Sequence, residues 1–271
     1  MRIGIAGLGL IGGSLALALR GRYDIVGWSP SASTRASAGA AGIELAAGLT
    51  ALLPADAIIV CAPLPQVVPD LEALVSAGSG TTVLLDVGSL KMPVAAFAER
   101  ASVKARIVGG HPMAGTTGVG FAAADAALFR DRPFLLTPTA RSDEAALALC
   151  GAIARATGAV VTVVGAEAHD RIVAALSALP LVVATALARV GAEVAGSAVP
   201  GFAGPGFRDS TRLAATPISL AAPLLAGNAV NVREAIGRFR AALDVLDVAI
   251  TSGDEAVVER VLVSLRETVA D

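Results

Sequence analysis

In the first half of the chain the apolar residues come in short unbroken runs. Residues 2–6, 24–28, 57–62, 82–87 and 106–109 form such runs, rich in Val and Ile and without alternation. That pattern predicts parallel strands covered on both faces. A helical stretch at 14–20 separates the first two runs, and strand–helix–strand order implies right-handed crossovers. Residues 134–137 and 160–164 predict two further strands that extend the sheet. Past about residue 165 the runs stop. Residues 167–271 read as helices, interrupted by Val199-Pro200-Gly201-Phe202-Ala203-Gly204-Pro205-Gly206. The expected fold class is α/β: a doubly wound, mostly parallel sheet over 1–165, then an all-helical unit over 166–271. Arg233, Glu234, Arg238 and Arg240 fall at helical spacing, as on a solvated face. The uncharged run 172–188 is slightly short for a membrane span and contains Pro180, so it reads as a buried helix.

Composition narrows the classes. The chain has 271 residues, 55% hydrophobic and 16% charged, with a net charge of −2. An extensive core is available, and no basic stripe points to nucleic acid or a membrane surface. Cys61 and Cys150 share no metal or redox spacing. Two lone cysteines fit a reducing compartment, so a cytoplasmic location is expected. The first twenty residues resemble a secretory signal. Glycines at 4, 7, 9, 12 and 13 interrupt that apolar stretch, at a spacing better explained by a binding loop.

Gly7-Leu8-Gly9-Leu10-Ile11-Gly12 is G-x-G-x-x-G, after a strand and before a helix. Gly7 permits the turn, Gly9 admits a pyrophosphate to the backbone, and Gly12 allows close helix packing. The helix N-terminus offers free N–H groups to the phosphates. Ala62 and Pro63, at the end of the 57–62 run, join the cofactor candidates, as does Lys91. An acid that would bind the ribose hydroxyls of NAD is missing after the second strand, where Trp28-Ser29-Pro30-Ser31 stands. Ser29, Ser31, Thr34 and Arg35 can instead receive a 2′-phosphate, which favours NADP over NAD. The alternative is that this Ser-rich loop is merely a turn.

Two histidines carry the candidate chemistry. His111, in Gly109-Gly110-His111-Pro112-Met113-Ala114-Gly115, is expected just past a strand's C-terminal end, where open α/β sheets place their sites. A neutral imidazole there can act as a base. His169 precedes Asp170 at an expected helix start, where capping and function are equally open readings. Ser89, in Asp86-Val87-Gly88-Ser89-Leu90-Lys91, falls at the same sheet edge and can bind a substrate hydroxyl or cap the next helix. Arg212 can hold a carboxylate in a bidentate fork, with Asp209 one turn before it to orient it, or the two can be simply a surface pair. No metal site is expected.

Together, GLGLIGGS at 7–14, DVGSLK at 86–91, GGHPMAG at 109–115, HD at 169–170 and GFRDSTR at 206–212 resemble the prephenate and arogenate dehydrogenase family, in the family's order. The resemblance implies a dinucleotide-binding domain followed by a helical substrate and dimerisation domain, hence a homodimer through the helices. It implies that His111 accepts the proton of the ring 4-hydroxyl as hydride leaves for the nicotinamide. Ser89 would bind that hydroxyl, Arg212 the side-chain carboxylate, and Asp209 would support that part of the pocket. Two departures stand out. Ser177-Ala178-Leu179-Pro180-Leu181 lacks two histidines that many members carry, and Thr117 stands where many prephenate-preferring members have Glu. Thr117 is thereby a substrate-binding position, and the departures look closer to members that use arogenate with NADP.

Two other functions compete. A two-domain hydroxy-acid or imine reductase is one. The hydroxy-acid type calls for a Lys in the second domain, and no Lys lies past Lys104. A non-catalytic NADP-sensing module is the other, and His111, Ser89 and Arg212 standing together argue against it.

Overall fold

The structure is a computed structural model that describes residues 1–116, 118–196 and 199–266, with the side chains of 199 and 200 left out. Eight strands form one sheet in the order β3-β2-β1-β4-β5-β6-β7-β8. They are β1 (Arg2–Ala6), β2 (Asp24–Trp28), β3 (Glu44–Leu45), β4 (Ala57–Val60), β5 (Val83–Asp86), β6 (Arg106–Pro112), β7 (Pro133–Pro138) and β8 (Val160–Val163). All neighbours pair in parallel except β6 with β7.

The unbroken apolar runs have the predicted cause. Ile3 and Ile5 of β1 face one core, with Leu15, Ile59 and Phe134. Ala6 faces the other, with Ile58, Val60, Leu71 and Phe97. Successive side chains alternate between two faces, and both faces are buried, so no polar positions intervene. Each buried Ile or Leu contributes roughly 1.5–3 kcal/mol. The helices between strands are α1 (Leu10–Leu19), α2 (Ala32–Ala40), α3 (Leu64–Ala77), α4 (Met92–Arg100) and α5 (Glu144–Ala156). The N-terminus is thus a core strand and a packed helix, and α1 starts four residues before the expected 14–20 stretch.

β6 is longer than the expected 106–109, and this alters the setting of His111. β7 returns antiparallel and pairs His111 with Leu135, so His111 lies inside the strand near its end and not past it. Only the tertiary pairing supplies those hydrogen-bond partners. Strand β3 escapes sequence detection because it is two residues long and exposed.

From Ala166 onward the described residues are helical: α6 (Ala166–Val173), a π turn (Ala174–Ala178), α7 (Leu179–Ala195), α8 (Val199–Phe202), α9 (Pro205–Thr211), a 3₁₀ turn (Arg212–Ala215), α10 (Ile218–Gly227), α11 (Ala229–Thr251) and α12 (Glu255–Arg266). Their shared core is small, built on Ala174, Ala178 and Val232. The helix running through Ala166–Ala195 has the length and apolar composition to cross a membrane. The expectation of a buried helix at 172–188 is corrected here: within α7 only Leu181 and Ala184 are buried. Burial depends on what packs against a helix, which its composition does not specify.

Candidate active site

Because β1, β4, β5 and β6 run in parallel, their C-terminal ends share one edge of the sheet. The order of strands turns between β1 and β4, which is where open sheets of this kind form a binding crevice. Gly7 follows β1 with φ +98°, and a Cβ there would lie 2.6 Å from the Cys61 carbonyl oxygen. A Cβ on Gly12 would lie 1.7 Å from the Gly7 carbonyl oxygen, so both positions exclude any side chain. A Cβ on Gly9 would meet nothing within 4 Å, which leaves open space against the backbone. Gly9 caps α1 with no side-chain hydrogen bond, and the helix's first N–H groups have no partner among the described residues. An open face at Gly9 beside N–H donors that are unclaimed among the described residues fits the pyrophosphate of a dinucleotide. Leu8 is buried, Leu10 and Ile11 are half-buried in the first turn, and Ala62 and Pro63 lie in the loop from the neighbouring strand β4 to α3.

The loop after β2 has both a structural and a binding character. The Ser31 hydroxyl caps α2 by accepting from Thr34 N at 3.2 Å, as the turn reading requires. Arg35 Nη1 donates to the Ser29 and Pro30 carbonyls at 2.6 and 3.0 Å. The guanidinium is thereby held beside Ser29, Ser31 and Thr34, and its remaining N–H groups have no partner among the described residues.

His111 is half-buried, with its Nδ1 3.0 Å from Nε2 of His169. His169 is fully buried, and its Nδ1 is 2.7 Å from Oδ1 of Asp170. Asp170 reaches across to the nucleotide-binding lobe, where its two oxygens accept from Lys91 N at 2.8 Å and Met92 N at 3.0 Å. These are the N–H groups of the N-cap residue and the first residue of α4, so Asp170 caps that helix and Ser89 does not. Asn228, at the start of α11, holds the Asp170 carbonyl at 2.7 Å. Under His111, Lys91 Nζ donates to both oxygens of Asp86 and, at 2.7 Å, to the Gly110 carbonyl. Three acceptors match the three protons of an ammonium, so the pair is ionic. Burial pushes the Asp86 carboxyl up and the Lys91 ammonium down, against their mutual attraction. Burial, the Lys91 charge and His169, in that order, hold the His111 ring well below the usual imidazole value. Burial alone would raise Asp170, but hydrogen bonds from His169, Lys91 N and Met92 N hold it below the usual carboxylate range.

Of the residues expected from sequence, the structure brings Gly7, Gly9, Gly12, Ala62, Pro63, Ser89 and His111 to one edge of the sheet. The Ser89 hydroxyl makes no hydrogen bond among the described residues, so it is available to a ligand. Lys91 is corrected: its side chain is sealed against Asp86 and cannot contact a cofactor. Its role is internal because the buried Asp86 carboxylate requires a counter-charge, a pairing the sequence does not display. Asp209 and Arg212 are exposed on α9 and the following 3₁₀ turn, and no ion pair joins them among the described residues. Thr117 lies outside the described residues. Asp170, Asp86 and Asn228 were not expected in the site, and His169 was left open. For His169 and Asp170 the available signal was the chain's second and last histidine standing beside a carboxylate.

Residues 15–163 match the sequence pattern of "Prephenate dehydrogenase, nucleotide-binding domain", and residues 165–264 that of "Prephenate dehydrogenase, dimerization domain". The chain is 33% identical to the prephenate dehydrogenase of Bacillus subtilis over 222 residues, covering 78% of this chain and 60% of that protein. It therefore spans less than two thirds of that relative's length. The solved arogenate dehydrogenase of Synechocystis is 31% identical, with a TM-score of 0.85 over 99% of this chain and 98% of that one. The prephenate dehydrogenase of Aquifex aeolicus, solved with hydroxyphenyl propionate and NAD+, is 26% identical, with a TM-score of 0.89 over 100% of this chain and 98% of that one. A nucleotide-binding lobe and a helical lobe in this order, each matching its own pattern along nearly its whole length, place the chain in the prephenate dehydrogenase family.

Proposed function

We propose that this protein carries out the nicotinamide-dependent oxidative decarboxylation of a cyclohexadienyl acid, prephenate or arogenate. The observation that carries this reading is a half-buried imidazole, His111, kept uncharged at the sheet edge that also bears the open glycine loop. A nicotinamide bound at that edge supplies the hydride acceptor. The chain's own residues then have three tasks. His111 takes the proton of the substrate's ring hydroxyl, a step worth roughly 10²–10⁴ in rate. Ser89, with its hydroxyl uncommitted, hydrogen-bonds the same oxygen. The exposed guanidinium of Arg212, without an ion-pair partner among the described residues, receives the side-chain carboxylate, Asp209 supports that part of the pocket, and Thr117 is assigned to substrate binding from its place in the sequence alone. Loss of the ring carboxylate as carbon dioxide leaves an aromatic product.

The finer readings rest on individual positions. NADP is favoured over NAD because no acid ends β2 and Arg35 is held beside Ser29, Ser31 and Thr34. The relative solved with NAD+ makes the other cofactor the natural comparison. Arogenate is favoured over prephenate because Ala178 and Leu181 stand where many family members carry histidines, and Thr117 where many carry Glu. The unpaired cysteines fit a reducing compartment such as the cytoplasm. A homodimer through the helical lobe follows from the exposed apolar residues there, among them Val194, Phe202, Ile218, Val230, Val248 and Ile250.

Steady-state turnover of prephenate and of arogenate, each with NAD+ and NADP+, tests the reading. Turnover is expected with at least one pair, and highest with arogenate and NADP+. Loss of turnover by about 10²–10⁴ in His111→Asn, with cofactor binding retained, would identify the base. Cofactor binding without turnover of either acid would leave the site a sensor and end this assignment.

A further inference from the structure

The carboxylate of Asp170 is engaged by three groups, two of which are backbone N–H donors. An ionised carboxylate only accepts hydrogen bonds. Its third neighbour, His169 Nδ1, must therefore carry a proton and donate it. A neutral imidazole with Nδ1 protonated presents Nε2 as an acceptor. The group facing that nitrogen is His111 Nδ1, 3.0 Å away, which must then donate in its turn. A proton on His111 Nδ1 leaves Nε2 bare, and Nε2 has no hydrogen-bond partner among the described residues.

We propose that His169 and Asp170 are positioning residues that hold His111 as its Nδ1–H tautomer, leaving Nε2 as the lone pair that accepts the substrate's proton. The inference rests on His111 acting as the base. It adds that the base is set from the other lobe. Asp170 and His169 belong to α6, Asn228 holds their backbone from α11, and the same Asp170 carboxylate caps α4 beneath the site. One side chain thus joins docking of the two lobes to the protonation pattern of the base. Were the lobes to part, His111 would lose its acceptor, His169 Nε2, and its ring could take either tautomer.

The chain contains two histidines, so ¹⁵N-histidine labelling of the intact protein yields only four ring nitrogens to assign. In the wild type both Nδ1 atoms should be protonated and both Nε2 atoms bare. Asp170→Asn keeps one oxygen to cap α4 but turns an NH₂ group toward His169. Both rings should then reverse to Nε2–H, and kcat should fall by about 10²–10⁴, as when the orienting aspartate of a serine-protease triad is amidated. Cofactor affinity should hold. His169→Gln retains an acceptor for His111 and should recover most of the turnover that His169→Leu loses, a result that bulk packing does not predict. This pair decides the matter if Asp170→Asn fails to fold. Protonated Nε2 on His111 in the wild type would overturn the proposal, as would a doubly protonated His169 or an Asp170→Asn variant with unchanged tautomers and kcat. Should the wild type turn over neither acid, the assigned reaction fails, while the nitrogen spectrum still decides the relay.

Discussion

The proposed role of His111 as a base calls for a ring that resists protonation, and its surroundings favour that. Burial, the Lys91 ammonium and His169 all disfavour its protonated form, so its pKa is depressed. The acid limb of kcat/KM should consequently lie below the usual imidazole value of about 6.5. A limb at or above that value would contradict the environment described. The same shift predicts a pH dependence of stability. The unfolded chain takes up a proton near pH 6.5 that the folded ring refuses, so stability is complete above that range and falls as pH drops through it. Urea midpoints between about pH 7.5 and about pH 5 would show the slope, and His111→Phe should flatten it. Asp170 acts lower on the scale. Its folded carboxyl is depressed, so its contribution is present above about pH 4 and disappears below, well separated from that of the histidine. Arg212 is exposed, with no protein partner among the described residues, so Arg212→Ala should leave stability near the wild-type value and raise KM for the acid substrate. An unchanged KM would remove its assigned role.

Between elements, the decisive junction joins β5, α4 and β6. Asp86 ends β5, Lys91 is the N-cap residue of α4, and the Gly110 carbonyl belongs to β6. One buried ion pair with a third acceptor therefore ties the strand carrying His111 to the loop carrying Ser89. Such a pair is a poor source of net stability, because both charges lose their hydration. Removing one partner is a different matter. Lys91→Met should destabilise by about 3–5 kcal/mol by stranding the Asp86 carboxylate, and Asp86→Asn added to it should recover part of the loss. Denaturant titration of the three proteins measures this. A Lys91→Met variant as stable as wild type would show that the carboxylate is protonated. The sequence displayed Lys91 as one of two lysines beside a sheet edge, which suggested a cofactor contact; its burial follows from a partner five residues away.

For the whole molecule, the two lobes are unequally built. The sheet is packed on both faces, whereas the helical lobe has a small core and leaves Val248 and Ile250 at 72% and 65% exposure. Exposed apolar residues of this kind fit the proposed dimer, and a standard interface buries roughly 1,200–2,000 Å² in total. Light scattering should give a dimer at micromolar concentration, and Val248→Asp should shift it toward monomer. A monomeric wild type would require another explanation for the apolar helices.

The order of strands and helices, the dinucleotide loop and the placing of His111 near the C-terminal edge of the sheet were legible in the sequence. Unbroken Val/Ile runs and fixed glycine spacing are local consequences of two-sided burial and tight turns, so local reading recovers them. The antiparallel return of β7, the burial of Lys91 and the chain from Asp170 through His169 to His111 were not legible. Each depends on groups far apart along the chain meeting in space: His111 and His169 are separated by 58 positions, Lys91 and Asp170 by 79. Residue identity determined which side chains can exchange protons. Tertiary packing decided which of them face one another, because desolvation and hydrogen-bond geometry exist only once both lobes are folded and docked.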